Sequence, residues 1–238
     1  VKGYVPRDAD LAVFWGHHRR VDDIVVQQRQ RGLNYLVMER GFFGDRYAMT
    51  SIGYNGQTGL ADFCNENSPP DRWEQFEDLL KPWKPGKKYV LVMGQMPGDA
   101  SVAHIDIRSW VRQTIFDLQA DGHTVAHRPH PLDKSPHLVG GTEVLRGDLA
   151  EVLAGASCVV TYSSTSGVDA VLAGIPTIAM DPRSMAYPVS RHSFNEAPKR
   201  KEPKDRLQWA YNLAYCQWSM EEIESGLAWE HLKNGPGK

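Results

Sequence analysis

Apolar positions along the chain follow two rhythms. Some form short β-branched runs that read as buried strands, and others recur every third or fourth residue, as on one helix face. Residues 10–16 make an apolar strand closing on Gly16, and His17, His18, Arg19 and Arg20 follow where a βα loop belongs. Val21, Ile24, Val25 and Gln28 keep helical spacing over 21–30, and Gly32 stops that helix. Residues 33–38 are the next strand, running directly into Glu39, Arg40 and Gly41. The stretch 42–70 is rich in Gly, Asn and aromatics; it predicts a strand over 47–52 and a turn over 53–56 that carries Asn55. Asp71, behind Pro69 and Pro70, caps a short helix over 71–80, and the Lys/Pro/Gly-rich residues 81–88 mark a linker and domain boundary.

A second series starts with the strand 89–93, which ends in Gly94 and Gln95. A helix over 106–120 carries Ile107, Trp110, Val111, Thr114, Ile115 and Leu118 on one stripe, and Gly122 ends it. The strand 124–127 delivers Arg128, Pro129, His130 and Pro131, and a helix over 148–153 leads into residues 157–182. That last stretch is a complete unit: strand 158–161, a turn of Ser163, Ser164, Thr165 and Ser166, helix 168–172, a stop at Gly174, and strand 177–180. A basic loop at 199–206 precedes helices over 205–217 and 220–231, the second opened by a Ser219/Glu222 capping box. The β-α-β-α-β-α-β pattern of the second series predicts a doubly wound parallel sheet, with domains at 1–86 and 87–200 and helices at 201–238 returning to the first.

Composition narrows the class. With 41% hydrophobic and 24% charged residues the chain is an ordinary globular protein, and 27 Lys plus Arg against 29 Asp plus Glu leave no global field for nucleic acid or membrane. No apolar run approaches the ~18 residues of a membrane span, and no signal-peptide pattern opens the sequence, so the expectation is a cytoplasmic protein. Cys64, Cys158 and Cys216 are too few and too far apart for a disulfide framework or a thiolate metal site and read as structural thiols.

Candidate chemistry collects at the carboxyl ends of the predicted strands, where open parallel sheets bind ligands. Ser163 to Ser166 offer hydroxyls and free backbone N–H groups at a helix start, with Gly167 open to close approach: a phosphate cradle, or equally a Ser-rich N-cap. His130, beside Arg128, is placed to donate to an anionic oxygen; its alternative is a turn histidine rigidified by two prolines. The sequence has no Asp-x-Asp, so no metal is expected under a diphosphate, and no Gly-x-Gly-x-x-Gly, which argues against a nicotinamide enzyme.

Gly94-Gln95 followed by Asp99-Ala-Ser101, His130-Pro131, and a Ser-Ser-Thr turn with Val168-Asp-Ala170 and Gly174-Ile-Pro176 resemble, in that order, the second half of the capsule polysaccharide biosynthesis family, which includes bacterial Kdo transferases. Glu39-Arg-Gly41 and Gly53-Tyr-Asn-Gly56 resemble its first half, and the His-Pro and Ser/Thr signals also resemble those of bacterial sialyltransferases. The resemblance implies a GT-B-like α/β fold, two Rossmann-like halves with parallel sheets facing across a cleft, the N-terminal half reduced. It implies a nucleotide-sugar donor held by Gln95, Ser101, Arg128, His130, Ser163, Ser164, Thr165 and Ser166. The catalytic base would be Glu39, with Asp99 second; the alternative for Glu39 is an ion pair with Arg40 or Arg46. His17, His18, Arg40 and Asn55 fall on the acceptor side.

The resulting expectation is a metal-independent, inverting glycosyltransferase that needs no cofactor beyond its nucleotide-sugar substrate and acts on a glycan or other hydroxyl. One rival is a phage-type transferase acting on a hydroxymethylated DNA base, compatible with the basic runs Arg19-Arg20, 29–31 and 199–206. A noncatalytic sugar-nucleotide or glycan-binding module is the other.

Overall fold

In the computed structural model, which describes residues 9–17, 19–136, 138–194 and 201–236, the first apolar runs form a β-α-β unit. Strand β1 (Ala12–Trp15) lies parallel to β2 (Tyr35–Arg40), and α1 (Asp22–Gln30) crosses between them. Val25 of α1 is buried with Ala12, Tyr35 and Val37, the inward face that strand alternation supplies. β2 runs two residues past its expected end, so Glu39 and Arg40 belong to the strand, opposite Ser51 and Thr50 of β3 (Met49–Tyr54). β3 is antiparallel to β2. Residues 41–48 are too few for the dozen or more that a parallel crossover needs, so the chain must double back. The expectation of a parallel sheet in the first half is therefore corrected to a mixed one.

Glu74–Leu79 form a 3₁₀ turn where a short helix was expected over 71–80. The Lys/Pro/Gly-rich stretch that follows is hydrogen-bonded along its length: Lys81 N–H donates to Leu172 O (2.8 Å), Gly86 N–H to Ala156 O (2.7 Å) and Lys88 N–H to Gly155 O (3.0 Å).

The second series builds a five-stranded parallel sheet from β4 (Tyr89–Met93), β5 (Val125–Arg128), β6 (Glu143–Val144), β7 (Ala156–Thr161) and β8 (Thr177–Ala179), in the order β6-β5-β4-β7-β8. The two-residue β6 has no sequence signal of its own; it pairs with Ala126 and His127. Helix α2 (Ile107–Ala120) covers one face, burying Val111, Ile115 and Leu118 against Val90, Val92, Val125 and Val160. On the other face α3 (Leu149–Gly155) and α4 (Ser166–Leu172) supply Val152, Leu153 and Ala170 against Leu91, Met93, Ala126 and Val159. The central strands are apolar on both faces because both are covered, with His127 of β5 the exception. Asp106 caps α2 through Arg108 N–H and Ser109 N–H, and Asp148 caps α3. Cys158 is buried in this core, its thiol pushed up to about 12 by burial, as a structural thiol should be.

Helix α5 (Arg206–Ala214) ends before the expected 217, and Gln217–Ser219 form β9 instead, antiparallel to β3 and completing the order β1-β2-β3-β9. The capping box at Ser219 and Glu222 is present, but it opens two helices, α6 (Met220–Glu224) and α7 (Leu227–Leu232), separated by Gly226 at φ 85°. The chain divides into two compact units, one built from the chain up to Glu74 and from Ala210 onward, the other Gln75–Trp209. Among the described residues no helix is long and apolar enough to cross a membrane.

Within the first unit the returning segment is held by two buried polar side chains. Gln217, fully buried, accepts from Phe42 N–H (2.7 Å) and donates to Phe43 O (3.3 Å). Arg72 pairs with Glu222 (2.5 Å), donates to Ala214 O and Gln217 O, and stacks 3.9 Å from the Trp218 ring centre. Burial alone would raise the Glu222 pKa, but Arg72 and the Ser219 N–H outweigh it and hold the carboxyl below its usual range. Removing one member of a buried, hydrogen-bonded pair costs ~3–5 kcal/mol. Arg72→Met should therefore lower the unfolding free energy by about that amount in denaturant melts. A loss below ~1 kcal/mol, the value of an exposed pair, would show that Arg72 does not anchor the returning segment.

Candidate functional site

Strand order in the parallel sheet reverses between β4 and β7, since the chain winds from β4 outward to β6 and then returns past β4 to β7 and β8. At such a switch point the outgoing loops separate and leave a crevice at the carboxyl edge. Gln95, two residues beyond β4, is buried there and clamps Ser163, two residues beyond β7. Its Oε1 accepts from Ser163 N–H (2.8 Å), and its Nε2 donates to Ser163 Oγ (3.1 Å) and weakly to Ser101 Oγ (3.5 Å). Gln95, Ser101 and Ser163 are thus brought together. Gln95 acts there as a strut between two loops.

The Ser163–Ser166 turn differs from a bare cradle. Ser164 N–H donates to Thr161 Oγ1, Ser166 N–H to Ser164 Oγ, and Gly167 N–H and Val168 N–H to the carbonyls of Ser164 and Thr165. The backbone donors expected to be free are mostly consumed inside the turn. α4 begins at Ser166 and has seven residues, too short for its dipole to dominate. A Cβ on Gly167 would meet Thr161 Cγ2 at 3.1 Å and Ala186 Cβ at 3.2 Å, so this glycine serves packing and not ligand approach. What the turn still offers is hydroxyls, half-buried on Ser164, Thr165 and Ser166, with Ser164 and Ser166 3.0 Å apart.

Across β4, His130 sits in the turn after β5. Its Nδ1 accepts from Leu132 N–H (3.2 Å), so a neutral ring carries its proton on Nε2 and keeps that donor for another partner. Asp99 lies within electrostatic reach: desolvation by its loop raises its carboxyl above the usual range, and His130 opposes the rise. Arg128 ends β5 and donates to Gly147 O (2.7 Å), while its Nε is buried with no partner among the described residues. Arg108, from the first turn of α2, binds Asp133 through two nitrogens (2.6 and 3.4 Å). Burial works against the Asp133 carboxylate, but Arg108 and the Ser135 N–H hold its pKa below the usual range.

A small cavity of ≈ 20 Å³ opens beneath the His130 turn, lined by Gly94, Gln95, Arg108, His127, His130 and Asp133 among others. His127 is 3% exposed, and neither ring nitrogen has a hydrogen-bond partner among the described residues. Burial, with Arg146 adding to it, pushes its pKa down to about 4. Sequence reading missed His127 because it sits inside a strand, at a position of alternation that predicts an apolar core residue.

A second polar cluster was also missed. Tyr162 O–H and His104 Nε2 are 3.1 Å apart, and Asp181 lies 3.5 Å from the same nitrogen. Arg183 holds Asp181 at 3.0 and 3.1 Å. Asp181 follows β8, so the strand-end rule that selected the other residues would have found it had it been applied to the last strand.

In the first unit Arg40 stacks over Tyr47 (4.9 Å) and Trp15 (5.5 Å), and His17 pairs with Asp22 (3.3 Å). Glu39 is half-buried within β2, on the face of Tyr35 and Val37. Asn55 is not brought to Glu39 and Arg40. Because β3 runs antiparallel, it lies level with Tyr35, whose N–H it accepts (3.2 Å). His18 lies outside the described residues.

Neither a protein-family model nor a curated protein matches the sequence. Solved structures share the fold. Thermosulfurimonas dismutans KpsC, a β Kdo 2,4 transferase, superposes with a TM-score of 0.59 at 17% identity, over 91% of this chain and 86% of that one. The β Kdo 2,7 transferase of Thermosulfurimonas dismutans KpsC gives a TM-score of 0.55 at 16% identity, over 94% and 85%. At this identity the likeness is one of fold: an α/β architecture with one parallel and one mixed sheet.

His127 makes the site's stability depend on pH. Its folded pKa of about 4 lies below the ordinary 6.5, so the unfolded chain binds the extra proton and stability rises with pH between those values. The contribution is complete above ~6.5 and falls by ~3 kcal/mol as pH drops to ~4. Subtracting the unfolding free energies of His127→Phe from those of the unmodified protein across this range should give that slope. A flat difference would mean that His127 is protonated, or solvated, in the fold.

Proposed function

We propose that this protein is a nucleotide-sugar-dependent glycosyltransferase of GT-B-like plan that transfers a sugar to a glycan or other hydroxyl acceptor, inverting the anomeric centre without a divalent metal. One observation carries the reading. On the switch-point edge of a parallel sheet, His130, whose Nε2 has no hydrogen-bond partner among the described residues, and the hydroxyls of Ser164, Thr165 and Ser166 flank β4, in a fold shared with Kdo transferases. The leaving nucleotide of a glycosyl transfer gains negative charge on its phosphate, and hydrogen-bond donors fixed in advance stabilise it. His130 would donate to that phosphate, the serine and threonine hydroxyls would hold its other oxygens, and Gln95 would fix the spacing between the two sets.

The reaction itself needs one base. The acceptor O–H gives its proton to a carboxylate as its oxygen bonds the anomeric carbon, and the carbon–oxygen bond to phosphate breaks with its electron pair leaving on the nucleotide. In an inverting displacement the base approaches from the side away from the phosphate. Asp99 lies within electrostatic reach of His130, the residue assigned to the leaving phosphate, so its proposed role is to orient His130, and Glu39 is the proposed base.

Two measurements separate these roles. His130→Ala should weaken nucleotide-sugar binding by about 1.5–3 kcal/mol, the value of a hydrogen bond to a charged group; calorimetry showing unchanged affinity in the folded variant removes His130 from the donor site. With EDTA present throughout, Glu39→Gln should lower turnover ~10²–10⁴-fold with donor affinity unchanged. If Asp99→Asn produces that loss and Glu39→Gln does not, the base is Asp99, and a product with retained configuration rules out a single displacement altogether.

A further inference from the structure

At the amino end of β8, on the sheet edge opposite Ser163 and His130, lies a cleft of ≈ 330 Å³. That is room for a ligand with one ring, where the cavity under His130 has room for a water. Its lining is anchored. Pro176, Thr177 and Val189 are buried, and the backbone of Arg191 runs alongside β8, accepting from Ala179 N–H (2.8 Å) and donating to Thr177 O (3.0 Å). Residues 201–204 form another wall, and Arg206, 3% exposed, ties it down. The Arg206 guanidinium donates to Val171 O, Leu172 O and Lys81 O and pairs with Glu202 (2.6 Å). It also lies 5.2 Å from the ring centre of Trp83, which lines the cleft as well.

The charge of this lining is unbalanced. Arg191, Lys201 and Lys204 contribute three positive charges, and the acidic side chain among them, Glu202, is already paired with Arg206. Lys201 and Lys204 are exposed and have no ion-pair partner among the described residues. Like charges around one space repel, and an anion placed there relieves the repulsion. The remaining surface is flat and stiff: the indole of Trp83 and the rings of Pro176, Pro188 and Pro203.

We propose that this cleft binds a phosphate monoester carried on a planar ring, at a site separate from the donor edge. A phosphate monoester carries about 1.5–2 negative charges at pH 7, which matches a group of cations better than a single carboxylate does. A planar ring packs against indole and proline faces, and the volume accommodates one such ring with its phosphate. No residue is shared with the proposed nucleotide-sugar site, so this inference stands or falls independently of it.

The test titrates phenyl phosphate, inorganic phosphate and phenol into the full chain and follows backbone amide shifts by NMR. Phenyl phosphate should shift Thr177, Val189, Arg191 and Lys204 saturably, with a Kd on the order of 1 mM or below. It should bind at least about 10-fold more tightly than either fragment, because ring and charge both contribute. Lys201→Glu combined with Lys204→Glu changes only exposed side chains; it should melt as the unmodified protein does and bind at least about 10-fold more weakly. Lys233→Glu, the same kind of charge change in the first unit, should bind as before. Absence of saturable shifts at the four amides overturns the site, as do shifts confined to Ser163, Ser164 and His130, which would put the phosphate at the donor edge. An equal loss in Lys233→Glu, or no loss in the double variant, shows attraction to net charge or to another surface and overturns it too. Equal affinity for either fragment overturns the ligand class.

Discussion

The second unit turns on one side-chain amide. Gln95 leaves the end of β4 and spans to the end of β7, its carbonyl and amino groups both engaged by Ser163. Backbone pairing cannot do this, because the ladder between the two strands has already ended and the chains must diverge at the switch point. Without a bridge the two loops would be tethered only through their own turns. With it, the residues after β7 are held at a fixed distance from those after β4, and the hydroxyls of Ser164 to Ser166 acquire a defined position relative to the His130 turn. Gln95 lies only 7% exposed, where an amide bond is electrostatically stronger than in water.

That edge contrasts with the sheet beneath it. Apart from His127, the core strands meet the requirements of a doubly wound sheet: apolar on both faces, helices on each side, and capped helix starts at Asp106 and Asp148. Its rim is locally poor for stability. His127 and Arg128 Nε are buried without partners among the described residues, and Asp99 is held above its usual pKa. Features that weaken a fold and cluster at one edge are those expected of a surface shaped for a ligand. The Tyr162, His104, Asp181 and Arg183 network extends the same rim towards β8.

The first unit obeys a different constraint. Its sheet is completed by β9, a strand of three residues from the far end of the chain, and Gln217 and Arg72 hold it with hydrogen bonds that reach about 145 to 175 positions along the sequence. The short connection after β2 forces β3 to run backwards, which separates Asn55 from Glu39 and Arg40 and returns Tyr47 to Arg40, while the parallel pairing of β1 with β2 brings Trp15 to the same guanidinium.

Most of the parallel unit was legible in the sequence, because its signals are local. The α2 stripe from Ile107 to Leu118 and, in the first unit, the Ser219/Glu222 box report hydrogen-bond patterns completed within a few residues, and the run 89–93 is continuously apolar because both faces of its strand are covered. Strand-end polar residues were legible for the same reason: in a parallel sheet, position along the chain fixes the edge on which a residue emerges. The sequence alone could not decide strand direction in the first unit, the strand identity of 217–219, or the fate of the Ser163–Ser166 N–H groups. Those depend on which distant group completes each hydrogen bond. His127 marks the limit most clearly: the pattern determined that its side chain points into the core of the sheet, and only the tertiary structure decided that neither ring nitrogen would meet a hydrogen-bond partner there among the described residues.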